Sequence, residues 1–329
     1  MRGRRIRVAL GAAVAALVLA ACGTTEAPAG APASPAPAGG AQVTVTDARG
    51  KQVTFDGPAT RAVGLEWALV EHLVSLGVMP VGVADVAGYS AWVQAAPLTT
   101  DVTDVGVRGE PSIETIARLQ PDVVFATPDM NEGAIAQIEA FAPVVVVRDA
   151  DASDAVGQMR RNVELVAQVT GKQAQAAQLL AGFDAAVADG AQRIAAAGLA
   201  GRRIAFADGY LDGGRLSIRA FTDGSLIGTV TRELGLVNAW PMKGDESYGT
   251  ATTDVEGLTT LGDVEFVYWT NKVEGPDPFV DGLAGNAVWQ SLPFVQAGNV
   301  ERLPDGIWMF GGPASMRQYI DAITAALAG

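Results

Sequence analysis

The amino-acid sequence predicts an α/β protein with two doubly wound lobes joined by one long interlobe helix. The chain has 329 residues, enough for about two domains of ordinary size. Short β-rich runs alternate with helical patterns in the first half, and the alternation starts again in the second half. Between the halves lies an amphipathic segment, residues 153–171, whose helix of about 25 Å is long enough to bridge two lobes. The alternative is that this segment is an ordinary core helix of one larger domain.

Continuous apolar runs predict the strands of the first half, because strands buried on both faces have this composition. We expect strands at residues 61–65, 80–84, 122–126 and 144–148, and helices at 68–76, 113–119 and 134–141. Ser112 follows Glu110 and Pro111 and is placed to cap the second helix. The segment GYSAWVQAAP, residues 88–97, is rich in Gly and Ala, and we expect a loop there.

The bridging helix begins near Ser153, a candidate N-cap, and carries apolar residues at helical spacing up to Thr170. A second long helix is expected at residues 172–197. In the second half we expect strands at 203–207, 216–220, 264–269 and 299–303, and helices at 225–234, 255–261, 287–291 and 314–327.

The N-terminus has the pattern of an exported lipoprotein. Four arginines precede an apolar run at residues 8–21 that is too short for a membrane span of about 20 residues. The run ends in Leu19-Ala20-Ala21-Cys22, which resembles the bacterial lipobox and implies cleavage before a lipidated Cys22. The alternative is an ordinary signal peptide with a chance cysteine. The predicted divisions are a signal peptide (1–21), lipidated Cys with a Pro/Ala/Gly tether (22–42), first lobe (43–152), linking helix (153–171) and second lobe (172–329).

Charge and residue counts argue against several function classes. The chain has 36 acidic and 23 basic residues, so clustered phosphate contacts of a nucleic-acid binder are not expected. Cys22 is the single cysteine and His72 the single histidine, which excludes an internal disulfide and a His-rich metal site. The sequence contains no phosphate-binding loop, no GxGxxG after the first strand and no GxSxG elbow, so an α/β enzyme is the weaker alternative.

Five segments carry a resemblance to a known family through their order and spacing. They are VTDARGKQVTF within residues 43–55, RAVGLEWALVEHLVSLGVMPVGVAD at 61–85, GEPSIETIARLQPDVVFAT at 109–127, TDVEGLTTLGDVEFVYW at 253–269 and WMFGGPASMRQYIDAI at 308–323. Together they resemble the iron-siderophore and vitamin B12 group of ABC-transporter substrate-binding proteins. The resemblance implies a class III periplasmic-binding-protein fold with ligand held between the lobes. It also implies a monomer that moves modestly on binding and serves an ABC permease dimer with its ATPase.

Candidate ligand residues follow the predicted strands, because ligands of open parallel sheets collect beyond the carboxyl ends of strands. Aromatic side chains there suit a bulky, flat ligand. The candidates are Trp67, Tyr89, Trp92, Arg108, Tyr210, Arg219, Tyr248, Trp269 and Trp308; Glu66, Asp212, Phe221, Thr270 and Asn271 follow strands in the same way. Each has a structural alternative: Trp269 ends an apolar run and suits the core, Trp67 can hold its helix against the sheet, and the arginines can pair with carboxylates. Trp240 and Trp289 are assigned to packing.

The resemblance favours a ferric siderophore as ligand, with no resident cofactor. Direct capture of a bare transition metal needs several converging His, Cys or carboxylate ligands, whereas aromatic loops suit an ion already wrapped in a chelator. The acidic composition favours neutral or cationic chelates over tri-anionic catecholates. Cobalamin and haem are the alternatives within the family, and haem ligation would use Tyr89, Tyr210, Tyr248 or Met130. A surface adhesin or signalling receptor with the same fold is a further alternative.

The resemblance also implies a docking pair for the permease. In this family each lobe presents a carboxylate near the start of a helix, and the matching residues here are Glu114 and Glu256. The structural alternative is that both acids only stabilise helix N-termini.

Overall fold

The structure is a computed structural model that describes residues 42–212 and 215–329. The predicted signal peptide, Cys22 and all of the tether except Gln42 lie outside the described residues. Within the described part, no helix is both long and apolar enough to cross a bilayer. The predicted divisions at residues 152 and 171 stay a prediction, because all of the described residues belong to one compact unit.

The first lobe contains a five-stranded parallel sheet in the order β5-β4-β3-β8-β9. It follows the hairpin of β1 (Val43–Thr46) and β2 (Gln52–Phe55), and a short ribbon of β6 (Gly106–Val107) and β7 (Glu110–Pro111) lies before its third helix. The sheet strands are β3 (Ala62–Gly64), β4 (Gly82–Val83), β5 (Thr103–Asp104), β8 (Val123–Ala126) and β9 (Val144–Val146). The helices are α1 (Trp67–Ser75), α2 (Val86–Trp92), α3 (Ile113–Leu119) and α4 (Glu132–Glu139). Each predicted strand and helix of this half overlaps one of these elements.

Helix α2 covers residues 88–92 of the segment that we expected to be a loop, and residues 93–97 form neither helix nor strand. Asp85 accepts a hydrogen bond from Gly88 N at 3.0 Å and caps the helix. A Cβ at Gly88 would stand 2.4 Å from the Trp67 ring, so the glycine allows α2 to lie directly against α1. Gly88 therefore serves close packing, so the glycine in this segment does not indicate a loop.

The predicted bridging rod is α5 (Ala155–Thr170), followed by α6 (Gln173–Ala196). Helix α5 begins after Asp154, and the prediction of Ser153 as its N-cap was wrong. The Ser153 hydroxyl donates to Asp151 at 2.6 Å instead, and Asp154 pairs with Arg161 at 2.7 Å.

The second lobe contains a six-stranded sheet in the order β13-β11-β10-β14-β15, with β12 also paired to β10. Its strands are β10 (Arg203–Asp212), β11 (Arg215–Phe221), β12 (Val237–Asn238), β13 (Thr250–Thr253), β14 (Glu265–Trp269) and β15 (Val300–Arg302). The helices are α7 (Leu226–Glu233), α8 (Ala287–Ser291), α9 (Pro293–Gln296) and α10 (Pro313–Ala328), with 3-10 turns at Gly257–Thr260 and Lys272–Glu274. The sheet is mixed, because β10, β11 and β13 pair antiparallel. The helix predicted at 255–261 is only the first of these 3-10 turns.

One hydrophobic cluster crosses from lobe to lobe. It includes Trp67 and Val70 of α1 together with Phe206 of β10 and Tyr319 of α10. A buried polar contact accompanies it: the Glu71 carboxylate of α1 accepts from Ser315 N at 2.9 Å and from Ser315 Oγ at 2.6 Å, at the start of α10. The lobes therefore share both a core and a buried hydrogen-bonded carboxylate.

Candidate functional site

A cavity of about 630 Å³ lies between the two sheets. The first lobe contributes Trp67, the first residue of α1, and Trp92, the last residue of α2. The ribbon β6–β7 contributes Arg108, which lies between its two strands. The second lobe contributes Tyr210, Arg219, Tyr248, Trp269 and Trp308. Every candidate ligand residue from the sequence except Tyr89 therefore lines this one cavity.

Tyr89 lies in the core instead. Tyr89 belongs to α2, and its side chain is fully buried. Its hydroxyl donates to the Ala96 carbonyl at 2.6 Å. Burial raises the pKa of this phenol far above its ordinary value, and the charge of Glu71 adds to the effect. The helix turns Tyr89 inward and Trp92 toward the cavity, which a loop assignment could not distinguish.

Aromatic rings from both lobes meet at one wall of the cavity. The Trp308 ring packs edge-on against Trp67 with 4.9 Å between ring centroids, and against Trp92 with 6.0 Å. Trp269 is 1% exposed and packs against Phe206 and Phe221, so it belongs to the core and to the cavity wall at once. The two alternatives considered for Trp269 are thus compatible.

Both arginines face the cavity while paired with a carboxylate. Arg108 donates to Glu66 at 2.9 Å, and its guanidinium lies 3.8 Å from the centroid of the Trp67 ring. Arg219 donates to Asp208, with 3.0 Å from Nε to Oδ1, and lies 4.9 Å from the Phe310 centroid. Stacking on aromatic faces holds each guanidinium in a fixed plane, with its remaining donors available to a ligand.

Acidic residues form a second part of the lining that sequence reasoning largely missed. Asp129, Asp149, Asp208 and Glu274 line the cavity in addition to Glu66. Glu274 accepts from Trp92 Nε1 at 2.9 Å, and Asp149 accepts from the Tyr248 hydroxyl at 2.7 Å, so both contacts join the two lobes. Asp149 directly follows the predicted strand 144–148, which was a usable signal for it.

Three buried polar atoms at the cavity have no hydrogen-bond partner among the described residues. They are Asp149 Oδ1, Trp269 Nε1 and Trp308 Nε1. Burial raises the pKa of Asp149 to about 7, and the nearby charges of Glu66 and Asp129 add to the shift. The hydrogen bond from Tyr248 and the charge of Arg108 oppose it.

His72 stands apart from this cavity. It is 1% exposed on α1, and burial lowers its pKa to about 4, so the ring is neutral at ordinary pH. It faces a much smaller adjoining cavity of about 30 Å³, together with Asn162 and Ser225.

A family model described as periplasmic binding protein matches residues 63–306. The chain belongs to that family. Among curated relatives it is 28% identical to the iron(3+)-hydroxamate-binding protein FhuD of Escherichia coli over 82% of this chain and 87% of that protein. It is 24% identical to the probable siderophore-binding lipoprotein YfiY of Bacillus subtilis over 93% of each. The crystal structure of the Fe3+-Desferal-bound siderophore binding protein FhuD from Vibrio cholerae aligns with a TM-score of 0.71 at 27% identity, covering 82% of this chain and 98% of that one.

Membership of the periplasmic binding protein family confirms the predicted fold class and the resemblance drawn from the sequence. It also decides between the two function classes, because these proteins are transport components that bind a substrate without transforming it. It supports an extracytoplasmic location.

The two candidate docking acids of this periplasmic binding protein are not among the residues that line the cavity. Glu114 is exposed in the first turn of α3 and pairs with Arg118 at 2.7 Å. Glu256 is exposed beside the 3-10 turn Gly257–Thr260, so the expected helix start is only a single turn.

Proposed function

We propose that this protein captures a ferric siderophore in the interlobe cavity and delivers it to the permease of an ABC importer. The observation that carries the proposal is a cavity that is lined by tryptophans and stacked arginines from both lobes. Flat aromatic walls suit the apolar faces of a chelate, and guanidinium groups suit its iron-bound oxygens. A cavity of about 630 Å³ is in the usual range for small-molecule sites.

The printed names of the relatives support this ligand class. The Escherichia coli relative is named for iron(3+)-hydroxamate binding, and the Vibrio cholerae relative was solved with Fe3+-Desferal. Neither name favours cobalamin or haem, the alternatives within the wider family.

The proposal extends to attachment and delivery. Cys22 is the proposed lipid anchor on the outer face of the cytoplasmic membrane, with residues 22–42 as the tether. Glu114 and Glu256 are the proposed contacts with the permease dimer, one from each lobe. The protein works as a monomer in this scheme.

Intrinsic tryptophan fluorescence tests the ligand class, because Trp67, Trp92, Trp269 and Trp308 line the cavity. We expect saturable quenching by a ferric hydroxamate, and none by cyanocobalamin or haemin at the same concentration. The iron-free hydroxamate is the matched ligand control. Saturable binding of cobalamin or haem without any ferric chelate would contradict the proposal.

A further inference from the structure

The charged groups that line the cavity are strongly unbalanced. Five carboxylates and two guanidiniums belong to the described lining residues, which gives a formal charge of −3 when all are ionised. Local charge at a concave site affects a bound ion more than the net charge of the whole chain does, because low-dielectric walls focus the field.

Both guanidiniums are already compensated. Arg108 pairs with Glu66, and Arg219 pairs with Asp208. Three carboxylates of the lining, Asp129, Asp149 and Glu274, form no salt bridge within the described part of the chain. Asp129 and Glu274 are exposed at the mouth of the cavity, whereas Asp149 is set deeper.

The orphaned atoms of the cavity add a second, independent observation. Buried polar groups are normally hydrogen-bonded, so Asp149 Oδ1 lacks a donor and the two indole N–H groups lack an acceptor. A ferric hydroxamate supplies acceptor oxygens to the indoles. A ligand that also carries an N–H or O–H donor satisfies the carboxylate, and a positive charge on that ligand adds an electrostatic attraction.

We propose, on the basis of the siderophore-binding function above, that this cavity selects ferric chelates by charge. Cationic complexes bind more tightly than neutral ones, and polyanionic complexes bind most weakly. Asp149 is the residue that responds most directly to this charge, because it is the deep carboxylate with an unused oxygen. A tri-anionic complex would bring like charges against three uncompensated carboxylates.

A pair of ligands with the same iron coordination tests the proposal without any variant. The ferric complex of desferrioxamine B carries one positive charge on its ammonium group, and the ferric complex of N-acetyl-desferrioxamine B is neutral. We expect the cationic complex to bind about tenfold more tightly at pH 8 and low salt, a ratio that corresponds to about 1.4 kcal/mol. The difference shrinks with added NaCl, because salt screens charges near the protein surface. Ferric enterobactin is the anionic probe and is expected to bind most weakly.

A pH series locates the effect at Asp149. The groups that face it are Glu66, Asp129, Arg108 and Tyr248, with His72 at the adjoining small cavity. His72 stays neutral between pH 6 and 8 because its pKa is about 4, and Tyr248 stays protonated because its pKa is raised. Asp149 gains its charge over this interval, so the preference for the cationic complex should be several-fold smaller at pH 6 than at pH 8.

The variant Asp149→Asn keeps an acceptor for Tyr248 and removes the charge. We expect it to reduce the cationic preference at pH 8 and to abolish its pH dependence. Glu164 is an exposed acid on α5 that does not line the cavity, so Glu164→Gln is the matched control. It should leave the cationic preference at pH 8 and its pH dependence unchanged. Equal binding of the two hydroxamate complexes by the wild-type protein would overturn charge selection while leaving the proposed function intact. Failure of all three ferric complexes to bind would overturn both.

Discussion

At the scale of single residues, Tyr89 and Trp92 show how three positions along one helix separate core from site. Tyr89 is fully buried with its hydroxyl bonded to Ala96, and Trp92 reaches the cavity and donates to Glu274 of the other lobe. Sequence reasoning grouped the two because both are aromatic and stand in a Gly- and Ala-rich segment. Only the helical periodicity of α2, which that composition hides, distinguishes them.

Tyr89→Phe should therefore lower the free energy of unfolding and leave ligand affinity unchanged. It leaves the buried Ala96 carbonyl without its donor, at a cost of about 1–3 kcal/mol. Trp92→Phe should do the opposite and weaken ferric-chelate binding with a smaller effect on stability. Denaturant unfolding and fluorescence titration of both variants check this. A Tyr89→Phe protein of normal stability and weakened affinity would return Tyr89 to the site.

Asp149 should make the ligand-free protein less stable as the pH rises. Its pKa is about 7 in the folded protein, whereas 3.8 is the ordinary value that applies to the unfolded chain. Between these two pH values the folded state therefore binds more protons than the unfolded state. The free energy of unfolding therefore falls as the pH rises from about 4 to 7, by at least about 1 kcal/mol. Asp149→Asn should flatten this part of the profile, measured by denaturant unfolding at pH 5 and pH 8. Buried Glu71 also has a raised pKa, so the difference between wild type and variant is the quantity to measure. Identical slopes for the two proteins would show that Asp149 titrates normally.

At the scale of elements, strands buried on both faces and helices with clear start signals could be predicted from the sequence. Helix α3 has the predicted bounds, and the Ser112 side chain accepts from Thr115 N as a capping residue should. The β10–β11 hairpin was missed, although Gly213 and Gly214 between its strands are a hairpin signal. This omission matters for the site, because the hairpin carries Tyr210 and Arg219.

The helix predicted at 255–261 failed for a local reason. The hydroxyls of Thr259 and Thr260 donate to carbonyls three residues back, at 2.7 and 2.8 Å, in a segment that also contains Gly257. Gly and Thr are weak helix formers, and side-chain bonds to the backbone compete with helix propagation. The pairing of acids and aromatics across the cavity could not be predicted, because it depends on how two sheets distant in sequence approach each other.

The contact between α1 and α10 should show strong coupling between its partners. Glu71→Gln and Ser315→Ala each remove part of one buried, hydrogen-bonded pair, so their effects on the free energy of unfolding should be non-additive by about 1–3 kcal/mol. Combining Glu71→Gln with Ser112→Ala, which removes a helix cap away from this contact, is the control and should give additive effects. Additive effects for Glu71 with Ser315 would reject the coupling.

The two docking acids make a prediction about transport. Changing Glu114 and Glu256 together to Arg should stop uptake of the ferric chelate in cells while leaving its affinity for the purified protein intact, because neither residue lines the cavity. Each single change should give partial loss. Glu132→Arg is the matched control, since Glu132 is also an exposed first-turn acid, on α4. Normal uptake by the double variant would leave both residues as charges at the ends of helical turns.

At the scale of the whole molecule, the shared core implies that the lobes unfold together. The cluster that contains Trp67 and Tyr319 is continuous across the lobes, and helix α5 contacts both α1 of the first lobe and α7 of the second. Far-ultraviolet circular dichroism and tryptophan fluorescence should therefore report one coincident denaturant transition. Two separated transitions would show that the lobes are independent units.

The core that the lobes share should also limit how far they move relative to each other. We therefore expect only a small change in the radius of gyration when ligand binds, measurable by small-angle X-ray scattering.

The Glu71–Ser315 contact also bears on the order in which the chain can fold during synthesis. Ser315 is the 244th residue that the ribosome adds after Glu71, so α1 exists long before its partner does. Until α10 emerges, the first lobe cannot bury this carboxylate without a large desolvation cost, so its surface around α1 stays open. Native packing around α1 therefore cannot be completed before α10 has been made.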